Sequence, residues 1–311
     1  MLYKNTKIKI VLVSLILFFS VIFNQAADHK KVEIRTGMNA SQIAGLLQEF
    51  NIIKSKNIFL LLLYLSGNSK KIRAGTYMLA LNSNYLKLIN RLTKGSDYHI
   101  KITIPEGFTS EQIAERLYVN EVIREKSEFI QRIKDQGLRG YLFPETYNFT
   151  PGIKPEEVIQ IMTDQFWRVF DGRYRKRTQE MGSNVKDIII LASLIEKEAK
   201  ISEERQVISA IFQKRLRKRM YLESCASVLF ALGKHKEKLR YKDLQIDSPY
   251  NTYRNFGLPP TPICNPGKEA VHAALYPAET DYLFFFTKGD GSHIFSSSYE
   301  KHLELQKNYK K

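Results

Sequence analysis

Residues Asp187–Lys200 read DIIILASLIEKEAK, an apolar helical run that delivers two carboxylates, Glu196 and Glu198, at its end. A general acid working on a neutral substrate needs a carboxyl that keeps its proton near neutral pH, and burial against apolar side chains supplies one. At about 100° per residue, Glu196 shares a face with Ile189, Ala192, Ser193 and Ala199, whereas Glu198 lies beside Leu191, Leu194 and Ile195. The small neighbours Ala192 and Ser193 leave room for a substrate above Glu196, while bulky aliphatics crowd Glu198. Two glutamates on the last turn of a core helix can equally be solvated, and periodicity alone leaves both readings open. No His or Cys spacing matches a metal site. The histidines (His29, His99, His235, His272, His293, His302) are scattered, and no Gly-rich phosphate loop follows a strand. Neither metal nor cofactor is expected.

A chain of 311 residues suits one large or two modest domains. Ile10–Phe23 is an uninterrupted apolar run preceded by Lys4, Lys7 and Lys9. Extended over residues 8–27 it reaches about 30 Å as a helix, enough to cross a bilayer, with residues 1–7 on the cytoplasmic side. A cleaved signal peptide ending at Ala26 or Ala27 is the competing reading, but Asn24 and Gln25 fit its small-residue rule poorly. Either way the bulk of the chain is exported. The net charge of +16 then suits anionic lipid or wall polymer, or a merely solvated surface, rather than nucleic acid.

The expected class is α+β. KVEIRTGMNASQIAGLLQEF reads as a strand, a glycine turn and a helix from about Ala40 to Phe50, followed by a very apolar helix at Lys56–Ser66. Ala74–Leu79 reads as a strand and Tyr85–Lys94 as a helix. KITIPEGFTSEQIAERL then repeats the first pattern at an offset of 70 residues, aligning Gly37 with Gly107, Gln42 with Gln112 and Leu47 with Leu117. Duplication and convergence on a common unit are both allowed. Ser127–Gln136 is helical. Gly140–Gly152, with Tyr141, Phe143, Tyr147 and Phe149, reads as a rigid aromatic loop suited to stacking on sugars or to plain packing. Lys154–Arg175 reads as one helix, and the Glu196 helix is expected to be capped at Ser183 or Asn184. Helices follow at Glu203–Leu216 and within Leu222–Leu232, then a lysine-rich loop near Lys234–Lys242. Asp247–Gly267 is too rich in Pro, Asn and Gly for regular structure, and a loop that long in a compact domain is more often functional than idle. Glu269–Leu275 is a short helix, Tyr282–Thr287 and Ile294–Ser296 an antiparallel pair, and Tyr299–Gln306 a closing helix.

Taken in order, AGTYML, IPEGFTSEQIAERL, GYLFPETYNF, LASLIEKEA, SPYNTYRNFGLPPTPICNPG and GSHIFS resemble the MltG (YceG-like) endolytic murein transglycosylases over most of the chain. The resemblance implies an N-terminal anchor (8–27), a LysM-like α/β module (28–97), a connecting region (98–160) and a mixed α+β catalytic domain (161–311). It also implies residence in the cytoplasmic membrane as a single-pass protein, with peptidoglycan strands, membrane lipid and cell-wall synthases as partners. Two departures stand out. Arg139 occupies a position where many relatives are acidic, and Glu223-Ser224-Cys225-Ala226-Ser227 replaces their QTDPT.

The family activity is cleavage of the MurNAc–GlcNAc bond to leave 1,6-anhydro ends on glycan strands, including nascent ones, and the catalytic glutamate falls on Glu196. The resemblance makes Ser193, Tyr250, Asn251 and Tyr253 candidates for stabilising the oxocarbenium-like transition state, with Tyr147 a candidate sugar-stacking residue. A structural role for each stays open. Cys225 and Cys264 fall in motifs placed around one cleft, which suggests a disulfide; two buried free thiols are the alternative. A non-catalytic, membrane-tethered glycan-binding or scaffold protein, or a muramidase that activates water, are the other functional classes compatible with this chain.

Overall fold

The strand–turn–helix repeated at an offset of 70 residues is the start of a longer repeat. In the computed structural model, residues 28–96, 98–233, 236 and 239–309 are described. The expected anchor at 8–27 and its cytoplasmic flank lie outside them. Among the described residues no helix is long and apolar enough to cross a membrane.

The first repeat runs β1 (His29–Ile34), α1 (Ala40–Glu49), α2 (Lys56–Leu65) and β2 (Gly75–Ala80), with β1 and β2 antiparallel and Val32 opposite Tyr77. After α3 (Tyr85–Lys94), the second runs β3 (Ile100–Thr103), α4 (Ser110–Val119), α5 (Lys126–Asp135) and β4 (Thr146–Phe149), with Ile102 opposite Tyr147. Both are β–α–α–β units with the same local devices. Reciprocal capping boxes open α1 (Asn39 with Gln42) and α4 (Thr109 with Gln112). The turns before them need a left-handed residue, supplied by Gly37 (φ 90°) and Gly107 (φ 75°). Buried pairs recur at the same spacing: Ile43 and Ile113, Ala44 and Ala114, Leu47 and Leu117, Phe59 and Phe129, Leu63 and Ile133. Tyr77 donates its hydroxyl to the Arg73 carbonyl at 2.7 Å, and Tyr147 does the same to Phe143 at 2.6 Å.

Two sequence expectations change here. Gly140–Gly152 is not a loop throughout, because Thr146–Phe149 pairs with β3 and alternates inward and outward as a half-buried strand does. Lys154–Arg175 is not one helix. Phe170 plugs the core, and Asp171 accepts the Arg173 and Tyr174 amides as a new N-cap, dividing the segment into α6 (Pro155–Val169) and α7 (Gly172–Glu180).

The chain forms two compact units with a boundary at His99–Ile100. The first holds the first repeat and α3 around a core that includes Val32, Leu47, Phe59, Tyr77 and Leu92. The second holds the second repeat and a helical body: α8 (Val185–Glu198), α9 (Arg205–Arg217), α10 (Cys225–Leu232), α11 (Lys268–Leu275), the hairpin β5 (Phe284–Thr287) with β6 (His293–Ser296), and α12 (Tyr299–Tyr309). With three two-stranded sheets among the described residues, the class is α+β. Asn184 caps α8 by accepting the Asp187 amide. Every residue from Ile188 to Ile195 is buried, so α8 is the central rod of this body, in contact with α9, α10 and α11.

Candidate active site

Glu196 sits where α8 runs out of its apolar sheath. Its side chain is only 7% exposed, yet it reaches polar partners at the rim. Oε2 accepts the Gly267 amide at 2.9 Å, and Oε1 lies 3.8 Å from an Arg205 guanidinium nitrogen. Burial is the largest influence on the carboxyl and pushes its pKa above the ordinary glutamate value. The Gly267 amide opposes this, the nearby negative charge of Glu106 adds to it, and Arg205 and Lys197 pull it down; the balance is upward. Glu106 packs so closely over Gly267 that a Cβ there would overlap its carboxyl. Gly107 lies against the Glu196 side chain, and its carbonyl accepts from the Lys197 ammonium at 3.3 Å. The turn that opens the second repeat is therefore one wall of the Glu196 site.

Asn265 ties three segments around that wall. Its backbone amide and side-chain nitrogen both donate to the Phe108 carbonyl, its carbonyl accepts the Gly107 amide, and its Oδ1 accepts the Leu142 amide at 2.9 Å. On the opposite flank Arg205 donates to the Ser202 hydroxyl, which donates to Glu269. The Arg205 Nε is buried with no partner. Glu204 binds both the backbone amide and the ring of His293, which fastens the β5–β6 hairpin to the same turn.

Glu198 has a different task. Its Oε1 receives the Ser224 hydroxyl and the Ala226 amide, so it is the anion at the N-terminus of α10. One turn of α8 thus carries a protonatable carboxyl and a helix anchor two residues apart.

The sequence signature of the YceG-like family matches residues 32–308. The chain belongs to the YceG-like family. The endolytic murein transglycosylase of Bacillus subtilis (strain 168) is 34% identical over 305 residues, covering 89% of this chain and 84% of that protein. The one from Streptococcus pneumoniae serotype 2 is 27% identical, covering 89% of this chain and 58% of that protein. The crystal structure of a YceG-like protein from Listeria monocytogenes aligns with a TM-score of 0.61 at 33% identity, over 89% of this chain and 99% of that one.

Within this YceG-like fold the residues singled out from sequence separate sharply. Ser193 is wholly buried: its hydroxyl donates to the Ile190 carbonyl and accepts the Ile263 amide at 3.0 Å, so it staples the 247–267 loop to α8 and cannot touch a sugar. Asn251 is equally buried, donating to the Leu244 and Ile246 carbonyls and accepting from the Tyr253 amide. Tyr147 is the core tyrosine of the second repeat, its ring stacked on Phe149, which removes it from sugar stacking. Tyr250 is half-buried, bonded to Thr261 at 2.8 Å and packed on Phe230. Tyr253 is half-buried and touches the Cys225 sulfur at 3.1 Å. The disulfide is corrected too: both cysteines are free. Cys225 is exposed at the start of α10, whereas Cys264 is buried and donates to the Ser193 carbonyl. Burial pushes the Cys264 thiol far up. Arg139 pairs with Glu111 at 2.6 Å and lies over the Phe230 ring.

Sequence reading missed Glu106, Gly107, Arg205, Asn265 and Gly267. Glu106 and Gly107 carried a usable signal, for the second copy reads PEG where the first reads RTG. The second turn has the glycine of the first and, in addition, a carboxylate that the fold of the unit does not require. No metal-ligating cluster occurs among the described residues.

Proposed function

We propose that this chain is an endolytic murein transglycosylase that cuts peptidoglycan glycan strands between MurNAc and GlcNAc, with Glu196 as its acid and base. The observation that carries the assignment is a buried carboxyl whose pKa is raised, at the end of a rigid helix, in a chain 34% identical to an endolytic murein transglycosylase. Protonated Glu196 donates to the glycosidic oxygen as the bond to C1 lengthens. The resulting carboxylate, supported by the Gly267 amide and Arg205, then takes the proton of the C6 hydroxyl as that oxygen attacks C1 and closes the 1,6-anhydro ring. No external water enters, so one proton-carrying carboxyl serves both halves.

The first β–α–α–β repeat is proposed as a LysM-like glycan-holding module. The run at 8–27 is proposed as the anchor in the cytoplasmic membrane, with the rest of the chain outside. There it acts on nascent strands beside the synthases that extend them. Mass spectrometry of glycan strands after incubation with the wild-type protein should show products one water lighter than reducing ends, and Glu196→Gln should yield none. Glu106, a second carboxylate beside Gly267, is the observation favouring a hydrolase, which ordinarily pairs two carboxyls across the bond. Reducing ends in that experiment would establish hydrolysis instead.

A further inference from the structure

The two repeats serve as controls for each other at α2 and α5. Helix α2 buries Phe59 and Leu63, and α5 buries Phe129 and Ile133 at the same two places. The fold requires these inward positions. The outward positions differ completely. Helix α2 exposes Ile58 (50%), Leu61 (57%), Tyr64 (76%) and Leu65 (69%), while α5 carries Glu128, Gln131, Lys134 and Asp135 at the same offsets, all exposed. Polar residues at those offsets are fully compatible with a β–α–α–β unit, as α5 demonstrates, so nothing inside the fold accounts for four large apolar side chains facing outward from α2. Spaced at i, i+3, i+6 and i+7, they form one ridge along the helix. The next helix adds another: the hydroxyl of Tyr85 accepts the Ser55 amide at the start of α2, and its neighbour Leu86 is 61% exposed.

We propose that the outward ridge of α2 is a membrane-contact surface that inserts into the interfacial layer of an anionic bilayer. Three observations select lipid over protein as its occupant. The apolar run Ile10–Phe23 ends only five residues before β1 begins at His29, a reach of roughly 17 Å, so the first unit is held close to whatever surface that run enters. Residues 28–96 contain eleven Lys and Arg against three acidic residues, with Lys54 and Lys56 at one end of α2 and Lys70, Lys71 and Arg73 beyond the other. An apolar ridge flanked by cations is the pattern of a helix lying in a headgroup layer, with ammonium groups at the phosphates and a tyrosine at the boundary. Finally, this ridge is absent from the repeat that builds the catalytic wall.

The test uses the full chain reconstituted into phosphatidylcholine–phosphatidylglycerol vesicles with brominated acyl chains. Leu61→Trp and Leu65→Trp place a reporter on the ridge, and Gln131→Trp places one at the position in α5 equivalent to Leu61; the parent, with Trp167 alone, gives the background. The expected result is a blue shift and loss of most of the added emission for both ridge variants, with no loss for Gln131→Trp. Equal loss at all three sites, or none at Leu61 and Leu65, overturns the proposal. A blue shift insensitive to bromine also overturns it, because that places protein, either a second copy or the N-terminal run, on the ridge. Cleavage of glycan strands by the same samples is scored separately, so the proposed activity stands or falls on its own.

Discussion

At the scale of single residues, the site is a contest of charges around one carboxyl. In the proposed mechanism the acid form of Glu196 is the active one, so kcat/KM should fall on the alkaline side as Glu196 loses its proton. Glu106 pushes the Glu196 pKa up, so Glu106→Gln should move that limb to lower pH; Arg205 pulls it down, so Arg205→Met should move the limb to higher pH. A pH–rate profile on each variant checks both signs, and a merely structural role at either position would leave the limb in place. Glu196→Gln should lower turnover by on the order of 10²–10⁴-fold. It should not lower stability at neutral pH. Because the folded pKa is raised above the unfolded one, Glu196 contributes stability that is fully present below about 4.5 and lost as pH rises through the folded value. Thermal melts should therefore favour Glu196→Gln at neutral pH and converge with the parent in acid. Periodicity could set Glu196 beside small neighbours and Glu198 beside bulky ones, because those neighbours on α8 are local in sequence, but it left a solvated role open for both. Arg205 and Gly267 escaped notice because they reach that carboxyl from separate segments, and no pattern within either segment marks them.

Helices and loops meet at polar joints, and these can be broken separately from the acid. Glu198→Ala should destabilise the second unit by about 1–3 kcal/mol, the cost of leaving the Ser224 hydroxyl and Ala226 amide without their anion. Its residual activity should keep the parental pH profile. Urea melts read with pH–rate curves test both halves of that statement. Asn265→Ala should cost a similar amount and lower turnover as well, since the amide of Leu142 loses its acceptor and the Glu106–Gly107 turn loses a tether. Most elements were legible from the sequence: the apolar stripes of α1 and α4, the Asn184 cap and the terminal hairpin follow from patterns within a dozen residues. The strand Thr146–Phe149 was not, because Pro144 and the crowd of aromatics resemble a loop until a partner strand about 45 residues upstream supplies the ladder. The break at Asp171 was hidden because Phe166, Phe170 and Tyr174 keep a helical four-residue spacing straight across it, although Asp-Gly is an ordinary place to start a helix.

At the scale of the whole molecule, one supersecondary unit appears twice and has two fates. Gly37 has open space around its missing side chain, whereas a side chain at Gly107 would lie in contact with Glu196 and Lys197. Ala substitution should therefore strain the left-handed backbone at both places, but only Gly107→Ala should also impair cleavage; paired melting and activity assays separate the two. The repeat could be seen in the sequence as matched residues, but which copy packs against Glu196 could not, for that depends on α8 and α11, whose sequences lie far downstream. The free state of Cys225 and Cys264 has a consequence of another kind. One thiol is exposed and one is sealed under Ser193, so native protein should react with a thiol reagent once and unfolded protein twice, while reductant should leave both melting and cleavage unchanged. A chain built this way owes nothing to oxidative folding: it can reach its working shape without an enzyme to pair its cysteines, at any redox poise the surroundings impose.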